Sequence, residues 1–137
     1  MKIPLLSLLL ILALLVGCGL KRNNPLDPLG NPDIEVPKTV TNLAYNTSPA
    51  GAPQKYVYLQ WSWDPPISDL PYGFKVYRSN AYFSKYEVVG EVTTTSFNHV
   101  EDVRQGDYWY RVAAYISYAD GDLEGRACDP IFVRVLP

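Results

Sequence analysis

Hydrophobic and polar positions divide the chain into three stretches with different rhythms. Leu5 through Val16 is an almost unbroken apolar run behind a single early cation, Lys2. That run is too short to span a bilayer comfortably, which takes about 20 residues, and it reads as a targeting segment. From Leu20 to Pro37 no period holds. Pro25, Pro28, Pro32 and Pro37 interrupt any helix and cannot donate to a sheet ladder. Asn23, Asn24, Asp27, Asn31 and Asp33 favour turns or solvated backbone. From Lys38 onward apolar residues recur at every second position, in short runs separated by Gly, Pro, Asn and Asp, the rhythm of β-strands.

The longest of these runs is Gly106 to Tyr115, entered through a turn. Tyr108, Tyr110, Val112 and Ala114 share one face, and Trp109, Arg111, Ala113 and Tyr115 share the other. An aromatic load on both faces predicts a central strand. In Tyr56 to Trp63 the residues Val57, Leu59, Trp61 and Trp63 fall on one face, and Asp64-Pro65-Pro66 stops the strand. Further strands are predicted over 38–45, 71–79 (Phe74 and Val76 inward, Lys75 and Tyr77 outward), 86–92, 93–99 (Phe97 inward) and 127–135. Asn80 to Lys85 and Ala119 to Gly125 read as turns. Pro130 demotes the first half of the last strand to an edge or bulge. Seven turn-separated strands predict an all-β sandwich. The expected division is a signal peptide over 1–17, a linker over 18–37 and one domain over 38–137. A semi-extended linker of that length reaches some 50 Å at about 3.1 Å per residue.

Three motifs in order, Trp63-x-x-Pro66, Gly73-Phe74-x-Val76-x-Arg78 and Gly106-x-Tyr108-x-Tyr110-x-Val112-x-Ala114, resemble strands B, C and F of the fibronectin type III family. The resemblance covers about Val36 to Leu136. It implies an immunoglobulin-like sandwich in which Trp63 is the core indole and Trp61 fills the preceding core position. It also implies that Tyr108 makes the tyrosine corner, its ring inward and its hydroxyl bonded to backbone a few residues upstream.

Leu15-Val16-Gly17-Cys18, at the end of the apolar run, resembles the lipobox of bacterial lipoproteins. The resemblance implies cleavage between Gly17 and Cys18, with a diacylglycerol and an N-acyl chain on Cys18 and no other cofactor. Each buried methylene contributes about 0.8 kcal/mol, so two or three acyl chains anchor a protein durably to a membrane. Gly19, not Asp, follows the lipid site, which leans the address toward the outer membrane of a two-membrane cell envelope.

Charge and chemistry narrow the function by exclusion. The net charge is −2, and no basic block exists to attract a phosphate backbone, so nucleic acid is not an expected partner. His99 is the only histidine and is expected in a surface corner without a catalytic partner. Cys128, the remaining thiol once Cys18 is acylated, is expected to be partly buried. One Cys and one His cannot build a four-ligand zinc site, and Asp120, Asp122 and Glu124 read as a solvated turn rather than a calcium loop. No enzyme is expected.

The chain carries 11 Tyr and 3 Trp, more than a small core needs. Tyr58, Tyr77, Trp109 and Tyr115 lie on the non-core parity of their strands. They can pair across the outer sheet face, or serve as a ligand surface. The expected function is a membrane-anchored, non-catalytic binding or structural module of the cell envelope. It would act on an unknown envelope protein through loops, the outer aromatic face or strand addition at an open edge. The alternative is a carbohydrate-binding accessory lipoprotein using Tyr77, Trp109 and Tyr115 as a platform.

Overall fold

The computed structural model describes residues 24–137. The signal run, Gly17 and Cys18 lie outside the described residues.

Eight strands follow one another: β1 Thr41–Thr47, β2 Val57–Ser62, β3 Tyr72–Ser79, β4 Glu87–Val92, β5 Ser96–His99, β6 Gly106–Tyr118, β7 Gly121–Glu124 and β8 Ile131–Val135. They form two antiparallel sheets, one ordered β1-β2-β5, the other β4-β3-β6-β7 with β8 also paired to β6. The expected last strand, 127–135, is shortened to β8, and β7 forms within 119–125, the segment expected to be only a turn. Both strands pair with β6, which is long enough to hold β8 against Gly106–Tyr110 and β7 against Tyr115–Tyr118. Between them, the ladder survives only as Gly125 N–H to the Ala114 carbonyl and Cys128 N–H to the Val112 carbonyl. Pro130 has no N–H to extend it.

The core forms where the two inward parities meet. Val57, Leu59 and Trp61 of β2 face Phe74 and Val76 of β3, Tyr110, Val112 and Ala114 of β6, and Val133 and Val135 of β8; all are buried. The central indole is Trp61, not Trp63. Trp61 packs edge-on to Phe74 with centroids 5.3 Å apart. Trp63, half-buried at the rim, touches Phe74 and Tyr72, and its indole N–H donates to the Lys38 carbonyl at 2.7 Å. The physical reason is position along the strand. β2 ends at Ser62, so Trp63 lies past the ladder, where its polar edge can reach backbone.

Tyr108 is buried, and its hydroxyl donates to the Arg104 carbonyl at 3.0 Å and accepts from the Arg104 N–H at 3.3 Å. This ties the turn before β6 to the strand itself.

Residues 24–37 differ from an extended spacer. Asn24, Asp27 and Asn31 each accept, on a side-chain oxygen, the backbone N–H two residues on, at 3.0, 3.0 and 3.1 Å. Those Asx turns coil the segment, and its end is bonded to the sandwich. The Glu35 N–H donates to the Tyr118 hydroxyl at 2.8 Å, and that hydroxyl donates back to the Glu35 carbonyl at 2.9 Å. The Glu35 carboxylate accepts the N–H groups of Ile67 and Ser68 at 3.0 and 3.3 Å. The Ile67 N–H holds that carboxyl below the usual carboxylate range. Pro37 is buried against Gly125, where any side chain would overlap its carbonyl.

Candidate functional site

The outer face of the β4-β3-β6 sheet carries the residues expected to form a platform, and the structure treats them unequally. Along β6 the outward positions are Trp109, Arg111, Ala113 and Tyr115; they pair with Ser79, Tyr77, Lys75 and Gly73 of β3. The cross-strand partner and the neighbouring side chains together decide each local outcome.

Tyr115 is opposite Gly73, and its ring lies in the space a side chain there would occupy. The residue is only 9% exposed. Glu91, hydrogen-bonded to its hydroxyl, pushes the Tyr115 pKa up to about 12, with burial adding to the effect. Tyr115 is therefore packing, not platform. Tyr77 is half-buried, and its hydroxyl donates to Glu124, which also pairs with Lys75 at 3.2 Å. Burial and Glu124 together push Tyr77 up to about 12. Next along, the Arg111 guanidinium lies 4.1 Å from the Tyr86 ring centroid and 5.7 Å from that of Tyr77. Cation–π contact thus fills the middle of the face. Tyr77 and Tyr115 do not join Trp109 in one open surface.

Trp109 instead joins residues from two other segments. Tyr82 packs perpendicular to it, with centroids 5.0 Å apart, and Phe83 packs on Tyr82 at 4.7 Å. On the other side Phe132 of β8 is 5.3 Å from Trp109, and the Arg134 guanidinium lies 5.5 Å from the Phe132 ring. Phe83 is 97% exposed, and Tyr82 and Phe132 are exposed as well. This is a contiguous aromatic cluster open to solvent, with a bidentate Arg134–Asp107 pair (2.7 and 2.9 Å) at its margin. The reading of Asn80 to Lys85 as a turn missed Tyr82 and Phe83. The available signal was two adjacent aromatics in a segment that turn chemistry alone would fill with small polar residues.

The two candidate reactive side chains are used structurally. His99 is buried at 4% exposure, contrary to the expected surface corner. Its parity explains this: it lies two residues after Phe97 on β5, hence on the same face. The Tyr110 hydroxyl is 2.8 Å from His99 Nδ1, and the Arg78 guanidinium donates to the Asp102 carbonyl beside them. Burial, reinforced by the charge of Arg78, pushes the His99 pKa down to about 4. Cys128 is half-buried, its Sγ accepts the Val112 N–H at 3.3 Å, and burial pushes the thiol up, so the reactive thiolate is disfavoured. In the β6–β7 hairpin Asp122 accepts from Ser117 and Glu124 is held by Lys75 and Tyr77. Among the described residues no three His, Cys, Asp or Glu side chains gather as a metal site.

The sandwich is similar to solved fibronectin type III domains. A domain of the human fibronectin type III domain containing protein 3 matches with a TM-score of 0.54 at 13% identity, over 75% of this chain and 89% of that one. A multidomain fragment of titin matches with a TM-score of 0.55 at 16% identity, over 75% of this chain and 33% of the fragment. The twitchin kinase region of C. elegans gives 0.57 and 16%, over 75% of this chain and 17% of that one. This chain thus spans a minor part of those two fragments, and the matched part is a fibronectin type III domain in each. No protein-family model matches the sequence, and no curated protein matches it either. The described chain is a single all-β domain with the fibronectin type III fold. At these identities the likeness is one of fold.

Proposed function

We propose that this chain is a lipid-anchored, non-catalytic binding module of a bacterial cell envelope, placed in the outer membrane and working through protein–protein contacts. The observation that carries the contact surface is the cluster of exposed Phe83, Tyr82 and Phe132 around the half-buried Trp109. Large aromatics left exposed together are costly to solvate and are enriched where proteins meet. The anchor rests on Leu15-Val16-Gly17-Cys18 at the end of the apolar run. Sugar binding is the weaker reading. Stacking on a pyranose asks for a flat face, whereas Tyr82 meets Trp109 at 88° and Phe83 meets Tyr82 at 74°. Tyr77 and Tyr115, which would have widened the platform, are committed to Glu124 and Gly73.

Two measurements test this. Intact mass of the protein extracted from native membranes should show an acylated Cys18 at the N-terminus, and Cys18→Ala should abolish both the lipid mass and membrane retention. An unmodified chain starting elsewhere would sink the anchor. A photo-crosslinking residue at Phe83 should capture a discrete envelope protein in cells, and Trp109→Ala should remove that product. The same residue at the exposed Tyr45, on the opposite sheet, should capture none.

A further inference from the structure

The segment between the lipid site and the sandwich is bonded down, and this fixes which end of the domain can lie against a membrane. Glu35 is held from both its backbone and its carboxylate, by Tyr118 at the end of β6 and by Ile67 and Ser68 of the β2–β3 loop. Leu26 reaches back to the β6–β7 turn, within 3.8 Å of the place a side chain at Gly121 would occupy. The described segment therefore begins beside that turn. Only five residues lie between Cys18 and Asn24, so the two are at most about 20 Å apart along the chain. Two aliphatic side chains of the segments meeting at this pole are open to solvent: Ile67, beside Glu35, is 96% exposed, and Leu29, three residues after Leu26, is 81% exposed. The aromatic cluster lies at the other end of β6, nine residues or about 30 Å away along the strand.

We propose that residues 24–37 are a bracket, not a leash. With the lipid on Cys18, they hold the β6–β7 pole against the lipid surface, with Ile67 and Leu29 toward it, and present the aromatic cluster away from the membrane. This rests on the lipid-anchored reading above. The lipid surface is the occupant favoured for this pole because the chain leading to the anchor ends there, and a free spacer of the same length would have allowed any orientation. The exposed carboxylates Asp33, Asp69 and Asp120 keep the contact at headgroup level, since carboxylates resist entry into hydrocarbon. The partner of the cluster is then met from outside, not in the membrane plane.

The test is energy transfer from two positions to a headgroup-labelled lipid. Residues 19–137 carry an N-terminal hexahistidine in place of Cys18, bound to phosphatidylcholine vesicles containing a nickel-chelating lipid and a rhodamine lipid. With Cys128→Ser, a single donor is placed at Asp120→Cys or at Ser84→Cys, both in exposed turns. Transfer should be several-fold greater from position 120 than from 84. Adding Tyr118→Phe with Glu35→Ala should bring the two values together. Equal transfer from both positions in the otherwise unaltered chain would overturn the bracket. This anchor does not use the Cys18 thiol, so that failure is separate from a missing acyl mass, which counts against the lipid reading alone.

Discussion

The two ends of one sheet face have opposite fates. At the Tyr115 end the ring takes the space over Gly73, its hydroxyl meets Glu91, and the residue is buried. At the Trp109 end, six residues further back along β6, the opposite residue is Ser79, and the ring is met from the side by Tyr82 and Phe132. Alternation along β6 assigns Trp109 and Tyr115 to the same face, and that assignment holds. What alternation omits is cover. A large side chain on an outer face becomes buried when its cross-strand partner has no side chain and the ring can occupy that space, as at Gly73; opposite Ser79 the Trp109 ring turns instead to rings from separate segments.

The closed end is the one whose disturbance costs stability. Tyr115→Ala removes a buried ring from a site whose floor, Gly73, cannot refill it, so unfolding should become easier by about 3 kcal/mol. Gly73→Ala attacks the same contact from below, since a Cβ there overlaps the ring. The two changes share one contact, so in the double variant their costs should fall short of additive. Denaturant titrations of the four proteins check this. A Tyr115→Ala loss below about 0.5 kcal/mol, the range of ordinary surface changes, would mean that the end is not closed.

The inner face of β6 offers a second contrast, smaller in effect and controlled by pH. His99 against Tyr110 is held near a pKa of about 4 by burial and by Arg78. In the unfolded chain the same group titrates near 6.5. The unfolded state takes up the proton first on acidification, so the native contribution is intact above pH 6.5 and is lost as pH falls toward 4. Between pH 7.5 and pH 5 the loss should be about 2 kcal/mol. His99→Gln should flatten that part of the stability–pH curve whatever its own stability. An unchanged slope would assign the acid sensitivity to other groups.

Much of this architecture was legible in residue order. Period-two runs placed the strands and their inward faces, and the Gly106–Tyr118 strand is central because both its parities are apolar. The late start of β8, at Ile131, could be read from Pro130, whereas β7 lies in residues that read as a turn. Four other features were misread or missed. Trp61 and Trp63 share parity, and only the end of β2 at Ser62 decides which indole is central. His99 looked like a corner residue because its strand is short, although its step of two from Phe97 already placed it inward. The candidate site was legible only through Trp109. Its neighbours Tyr82, Phe83 and Phe132 are brought together by the fold from a turn and a different strand, a juxtaposition that no local spacing encodes. Residues 24–37 escaped for a related reason. Asn and Asp announced turns, but the docking of Glu35 depends on Tyr118, 83 residues away.

The smallest expected effect on stability belongs to the open end, and its smallness is the point. Phe83 is almost wholly exposed and touches one ring, Tyr82. Phe83→Ala therefore removes little buried area and should change unfolding free energy by no more than about 0.5 kcal/mol. An edge-to-face pair contributes about 0.5–1.5 kcal/mol beyond burial, and a solvated pair belongs at the bottom of that range. If Phe83 is part of a contact surface, the same substitution should nevertheless weaken partner capture strongly, because an aromatic at an interface becomes buried only in the complex. Tyr115→Ala should do the reverse, lowering stability while leaving capture by the still-folded fraction unchanged. Measured together, the two substitutions separate a ring that holds the sheet from a ring kept for something else. Should Phe83→Ala cost as much stability as Tyr115→Ala, the two ends would be alike, and the cluster would be packing rather than surface.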